Sequence, residues 1–172
     1  LLSCIVFFKS AIADLSSISG ASMLPTLLDG DKVWVNKLAY DVKIPFTEIS
    51  LAQLSDPQRG DIVIIDSERA VYEVLSRDSE SIIISEQLPE GAHQARLSSR
   101  YFNRPGRSYG PSVVPDDQYF VLGDNRDNSA DSRIYSFVPR SEIIGRSSSV
   151  VFSLDSQNNY LPRGERFLAG LE

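Results

Sequence analysis

The sequence is poor in the residues that most often carry hydrolytic or metal chemistry. It has 172 residues, with one Cys, one His and one Met. A lone cysteine excludes an intrachain disulfide and a Cys-rich zinc site. A lone His93 excludes any multi-histidine metal centre, and a Ser-His-Asp triad would have to use it. His93 lies in Gly91-Ala92-His93-Gln94, a polar stretch that reads as a solvated loop. Lysine is the sharpest shortage. Of 17 basic residues only Lys9, Lys32, Lys37 and Lys43 are lysines; the rest are arginines, and no lysine follows position 43. The chain also lacks a basic surplus. Its net charge of −6 argues against a general phosphate-backbone binder, so no nucleic-acid partner is expected. Nothing in the composition calls for a cofactor or a metal. An Asp124, Asp127, Asp131 calcium loop departs from the spacing of the twelve-residue calcium loop.

What is present is a globular chain. At 42% hydrophobic residues it can bury a core, and its length fits one domain. Residues 1–17 begin with an almost wholly apolar run, LLSCIVFF, that Lys9 and Asp14 interrupt. A spanning helix needs ~20 apolar residues. The stretch therefore reads as a short N-terminal helix, buried or membrane-proximal, or as the end of an anchor with Lys9 reaching the headgroups. Strand patterns follow. Lys32–Lys37 alternates, Asp61–Ile65 suits a buried strand, and Ala70–Leu75 alternates again. Ser81–Ser85 carries three isoleucines, while Gln118–Leu122 and Ser149–Leu154 read as late strands. Residues 48–54 allow one or two helical turns at most. Residues 86–117, rich in Pro, Gly, Ser and Arg, predict a long excursion; 75–117 is taken as a small cap. The tail after Asn158 reads as a last strand or arm. The fold class is mostly β.

Two polar segments carry the chemistry. The first is Ser19-Gly20-Ala21-Ser22-Met23-Leu24-Pro25-Thr26-Leu27. A serine on such a Gly/Pro turn can present its hydroxyl and lend a backbone N–H to an oxyanion, although an ordinary serine-rich turn has the same look. The second is Gly123-Asp124-Asn125-Arg126-Asp127-Asn128-Ser129-Ala130-Asp131-Ser132-Arg133, a dense Asx loop in which Asp131 and Arg133 are spaced to pair bidentately.

Together the two segments resemble type I signal peptidases, the S26 family of serine peptidases. Ser22-Met23-Leu24-Pro25-Thr26-Leu27 is similar to the family's serine box. The run from Gly123 to Arg133 is similar to its last signature box. Gly30-Asp31, Val35–Tyr40, Arg59–Val63, Val138-Pro139 and Ile144–Arg146 follow in the family's order, so the resemblance covers about residues 18–153. It implies an antiparallel β peptidase domain over 18–172, with no metal or cofactor. It further implies a membrane-anchored serine endopeptidase that removes signal peptides from exported preproteins. The domain would face the periplasm or the extracellular side of the cytoplasmic membrane and touch its lipid surface. Carried over, Ser22 is the nucleophile, Gly20 and Ser22 line the oxyanion hole, Ser129 supports the base, and Asp131 and Arg133 give structural support.

One position departs from the family. Its dyad lysine sits in a strand shortly after the Arg-Gly-Asp box, and here Glu68 falls at that place. The family's Gly-x-Pro-Gly-Asp turn is absent too, replaced by Val74–Asp78. A catalytic Glu68 would need its pKa raised toward neutrality from ~4.3. A second reading therefore stands beside the first: a weakened or inactive relative that binds extended peptides as an assembly or accessory factor.

Overall fold

The computed structural model describes residues 11–47, 49–65, 81–88, 91–98 and 109–171. Glu68, Lys9, the expected strand at 70–75 and the apolar run at 1–10 lie outside the described residues. The chain divides into two compact units, each drawn from discontinuous stretches. One takes residues up to Ile18, then Gly30–Asp66 and Ile143–Glu172. The other takes Ser19–Asp29 and Ser67–Glu142.

The described strands of the first unit pair antiparallel throughout, in one large sheet and a separate two-stranded ribbon. This unit is built from β1 (Ala13–Ser17), β2 (Asp31–Asn36), the ribbon β3 (Asp41–Lys43) with β4 (Ser50–Gln53), and β5 (Ile62–Ile65). The end of the expected N-terminal helix or anchor is thus the strand β1, paired with β2 from Ala13↔Asn36 to Ser17↔Lys32. The alternation read in β2 is real. Asp31, Val33 and Val35 are buried while Trp34 is exposed, as a two-residue period on a half-covered sheet requires. β4 corrects the helical-turn expectation for 48–54. All four of its residues are exposed, and pairing with β3 holds it extended. β5 is half-buried rather than fully buried.

The long strand of this unit, Ile143–Asp155, outruns the expected 149–154 at both ends. This strand, β10 in chain order, pairs with β2, β5, β11 (Leu161–Pro162) and β12 (Ala169–Gly170). Gly145 permits this, because a Cβ there would meet the Asn36 backbone. Asp31 is completely buried and is held by Arg166 through Nε at 3.0 Å and Nη2 at 2.6 Å. The three described lysines are each engaged here. Lys32 donates to Ser17 Oγ, Lys37 lies 3.7 Å from Asp14, and Lys43 reaches the Ile143 carbonyl at 3.5 Å.

The second unit contains two antiparallel pairs, β6 (Ser81–Leu88) with β7 (Gly91–Ser98), and β8 (Gln118–Tyr119) with β9 (Val138–Pro139). A short helix, α1 (Ser132–Tyr135), lies between β8 and β9. The β6–β7 hairpin puts regular strand at the start of the 86–117 stretch, which reads in sequence as a long excursion with little apolar pattern. Tyr109, Phe120 and Phe137 form an aromatic cluster, with centroids 4.9 Å and 6.1 Å apart. Elsewhere the described interior of this unit is unusually polar. Asp124, Asn125, Asp131 and Ser132 are buried alongside Leu27 and Ala95. Buried polar groups need partners, so hydrogen bonds organise much of the described part of this unit. No helix among the described residues is long and apolar enough to cross a membrane.

Candidate active site

Ser22 sits in a run of turns between Ala21 and Leu27. Gly20 enters the turn with φ +88°, in the region glycine tolerates and other residues resist. Its N–H is committed to the Asp29 carboxylate at 3.1 Å, and nothing lies within 4 Å of where a Cβ would stand. Leu27 N donates to Met23 O at 2.9 Å, closing the turn, and the Leu24–Pro25 peptide is cis.

The late polar loop holds this turn directly. Asn125 N donates to Ser22 O at 2.8 Å, and Asn125 Nδ2 donates to Ala21 O at 2.9 Å. Both carbonyls that flank the Ser22 residue are thereby fixed by one side chain and its own backbone. The Ser22 N–H and both serine hydroxyls, Ser22 Oγ and Ser129 Oγ, make no hydrogen bond to another described residue. Gly123 completes the contact. A Cβ there would overlap the Ser129 side chain, 2.6 Å from its Cβ, and would stand 2.8 Å from Ser22 O. Ser129 and the Ser22 backbone therefore converge on one residue that has no side chain.

Asp131 fixes the loop from behind. Its carboxylate accepts from Arg133 Nε at 2.8 Å, Arg133 Nη2 at 2.6 Å, Arg133 N at 3.2 Å and Gly123 N at 3.1 Å. It is also the N-cap of α1. The bidentate pair read from the spacing is formed, with both side chains more than nine-tenths buried. The pair bonds Gly123, and Gly123 touches Ser22 and Ser129.

The described structure thus gathers Gly20, Ser22, Ser129, Asp131 and Arg133 in one unit. Glu68 lies outside the described residues. His93 is not a solvated loop residue. It lies on β7 with a side chain only 15% exposed, and its Nε2 is 2.7 Å from Asp124 Oδ1. Sequence reasoning also passed over Asn125, although it stands inside the signature segment. A readable signal existed for His93. Positions 93, 95 and 97 share one face of β7, and Ala95 is completely buried.

The hairpin is fastened to the loop throughout. Arg96 N donates to Asp124 O at 2.8 Å and Arg126 N to Arg96 O at 3.0 Å, a parallel bridge between Arg96 and Asn125. Arg126 pairs bidentately with Glu86 at 2.7 and 2.6 Å, and Ser98 N donates to Asp127 at 2.7 Å.

The sequence profile of the family described as Signal peptidase, peptidase S26 matches residues 1–85 and 84–152. The chain belongs to this family. The probable signal peptidase I-2 of Synechocystis is 32% identical over 149 residues, covering 80% of this chain and 62% of that protein. A signal peptidase I of Leptolyngbya laminosa is 32% identical over 150 residues, 80% of this chain and 68% of the relative. The signal peptidase I of Pseudomonas aeruginosa is 26% identical over 210 residues, 94% of this chain and 73% of the relative. The chain thus spans between about three-fifths and three-quarters of these S26 relatives.

Proposed function

We propose that this chain is a serine endopeptidase of the signal peptidase I type, that it removes signal peptides from exported preproteins, and that Ser22 is its nucleophile. The observation that carries this reading is the double grip of Asn125 on Ala21 O and Ser22 O. In a trans peptide the N–H points opposite to the carbonyl of the preceding residue. Holding Ala21 O therefore aims the Ser22 N–H away from Asn125, as a donor with no internal acceptor among the described residues. A free, preoriented N–H beside a serine hydroxyl is what an acyl-transfer site needs.

On this reading Ser22 Oγ attacks the scissile carbonyl as its proton leaves to a base. The oxyanion takes the Ser22 N–H, the amine departs with a proton, and water then hydrolyses the acyl-serine. Gly20 keeps the oxyanion approach open, its own N–H being bound to Asp29. Ser129 supports the base, and Glu68 stands at the position of the family's lysine. A carboxylate there is charged in the resting state and faces the developing oxyanion, so it is a poorer base for this reaction than a neutral amine. The names carried by the S26 relatives favour the peptidase over a silent peptide binder.

The substrate would lie extended, with small residues at alternate positions because successive side chains point to opposite faces. Leu15 and Trp34, cross-strand partners in the first unit and both exposed, offer apolar surface suited to a lipid headgroup layer. The reading places the peptidase at the cytoplasmic membrane, facing the periplasm or the extracellular side. The test is cleavage of an Ala-x-Ala signal-peptide substrate by the wild type and by Ser22→Ala. Cleavage by the wild type alone is expected; equal background rates in both proteins would overturn the peptidase reading.

A further inference from the structure

We propose that His93 is a positioning residue for Ser22, acting through Asp124 and Asn125; the inference rests on Ser22 being the nucleophile. It begins with an imbalance at Asp124. Its carboxylate is 6% exposed, yet only one oxygen is used: Oδ1 meets His93 Nε2 at 2.7 Å, and Oδ2 is buried with no hydrogen-bond partner. A half-satisfied buried carboxylate is costly, so the one contact it makes bears heavily on where it sits. A carboxylate accepts, so Nε2 carries the hydrogen whether the ring is neutral or charged.

Asp124 is followed directly by the residue that holds the serine turn. On one side, Asp124 O accepts from Arg96 N, and β7 runs parallel to Asn125 through the Arg96 bridge. On the other side, Asn125 fixes the two carbonyls flanking Ser22. The segment 124–125 therefore spans from the hairpin face that bears His93 to the peptide planes that orient the Ser22 N–H. The segment is gripped by side chains at both ends: the Arg126–Glu86 pair holds it after Asn125, and the His93–Asp124 contact holds it before Asn125. Loosening the His93 contact turns Asn125 and tilts the Ser22 N–H away from a developing oxyanion. Such a loss falls on the transition state more than on substrate binding, so it lowers kcat with little change in KM.

Because His93 is the chain's single histidine, its ring gives one unambiguous signal. The experiment uses the full chain, labelled with 15N, as wild type, His93→Leu, His93→Gln and Asp124→Asn. Long-range proton–nitrogen spectra of the wild type are expected to show Nε2 protonated and slow to exchange, with its shift moved in Asp124→Asn. The Ser22 and Asn125 amide resonances are expected to move in His93→Leu and to return toward wild type in His93→Gln, whose amide restores a donor. On an Ala-x-Ala peptide, kcat of His93→Leu is expected to fall roughly tenfold or more, less than the loss of a whole oxyanion donor, with KM little changed and partial recovery in His93→Gln.

A ring in fast exchange that ignores Asp124→Asn would overturn the proposal. So would Ser22 and Asn125 amides unmoved in His93→Leu. If His93→Leu does not fold, the wild-type ring spectrum and the Asp124→Asn and His93→Gln amide shifts decide alone. A wild type no faster than Ser22→Ala would defeat the peptidase reading, while the spectra still decide the positioning role.

Discussion

At the scale of residues, the site is a set of backbone groups held by side chains. Asn125 holds the carbonyls around Ser22, Asp131 holds Gly123, and Gly123 lets Ser129 approach. The Asp131–Arg133 pair was readable from its Asp-x-Arg spacing, whereas Ser22 stood out only through the family resemblance of its box, since an ordinary serine-rich turn has the same local look. Asn125 and His93 were not read. An asparagine's role depends on which carbonyls the fold delivers to it, and the position of His93 depends on which face of a hairpin points inward. The residue carrying most chemical consequence is Glu68. If it occupies the family's base position, Glu68→Lys supplies an amine in place of a carboxylate. Cleavage of the Ala-x-Ala peptide by Glu68→Lys is expected to rise, on the order of tenfold or more given what a matched base contributes. A single-turnover assay with Ser22→Ala in the same background checks that the gain passes through the serine. No gain would show that position 68 does not take the place of the family's lysine.

At the scale of elements, local pattern was enough where one face of a strand is covered and failed where it is not. β2 was legible because Val33 and Val35 are buried against Trp34 exposed. β4 was not, since with every residue exposed no period records its pairing. β10 was half legible. Its second half is apolar, but its first half, Ile143–Ser148, alternates with glycine and serine that pack closely and look like loop. The tail after Asn158 reads as a last strand or arm, and β11 and β12 lie there, but the structural work of its arginines leaves no local pattern. Arg166 neutralises the completely buried Asp31 of β2 by a two-bond contact. Removing one partner of a buried pair leaves a charge in low dielectric and typically costs ~3–5 kcal/mol. Arg166→Leu is therefore expected to lower Tm by about 10 °C for a chain of this size, measured by differential scanning calorimetry. The neutral double variant Asp31→Asn with Arg166→Leu should recover part of that loss, because the uncompensated charge is gone.

At the scale of the whole molecule, the mostly β class followed from short alternating runs, but the division into two units did not. Each unit is assembled from separated stretches, and composition along the chain does not mark the crossings at Ile18, Asp29, Asp66 and Glu142. The shortage of lysine has a global consequence. All four lysines lie in the first quarter of the chain, and the three that are described serve the first unit. Reductive methylation, which keeps the charge of every lysine, is expected to leave Ala-x-Ala cleavage within about twofold of the untreated protein. A larger loss, with mass spectrometry confirming complete modification, would reveal a lysine acting as the base after all.

The strand Ile143–Asp155 also governs how the chain can be made. β1 and β2 leave the ribosome one after the other, but β2's other neighbour in the sheet is β10, more than a hundred residues later. At ~5–20 residues per second, synthesis leaves β2 waiting for that neighbour for several seconds at least. During that interval one edge of β2 is unpaired and Val33 and Val35 lack their eventual cover. Until β10 arrives, β2 is thus an open sheet edge, the kind of surface that pairs with other chains unless something covers it.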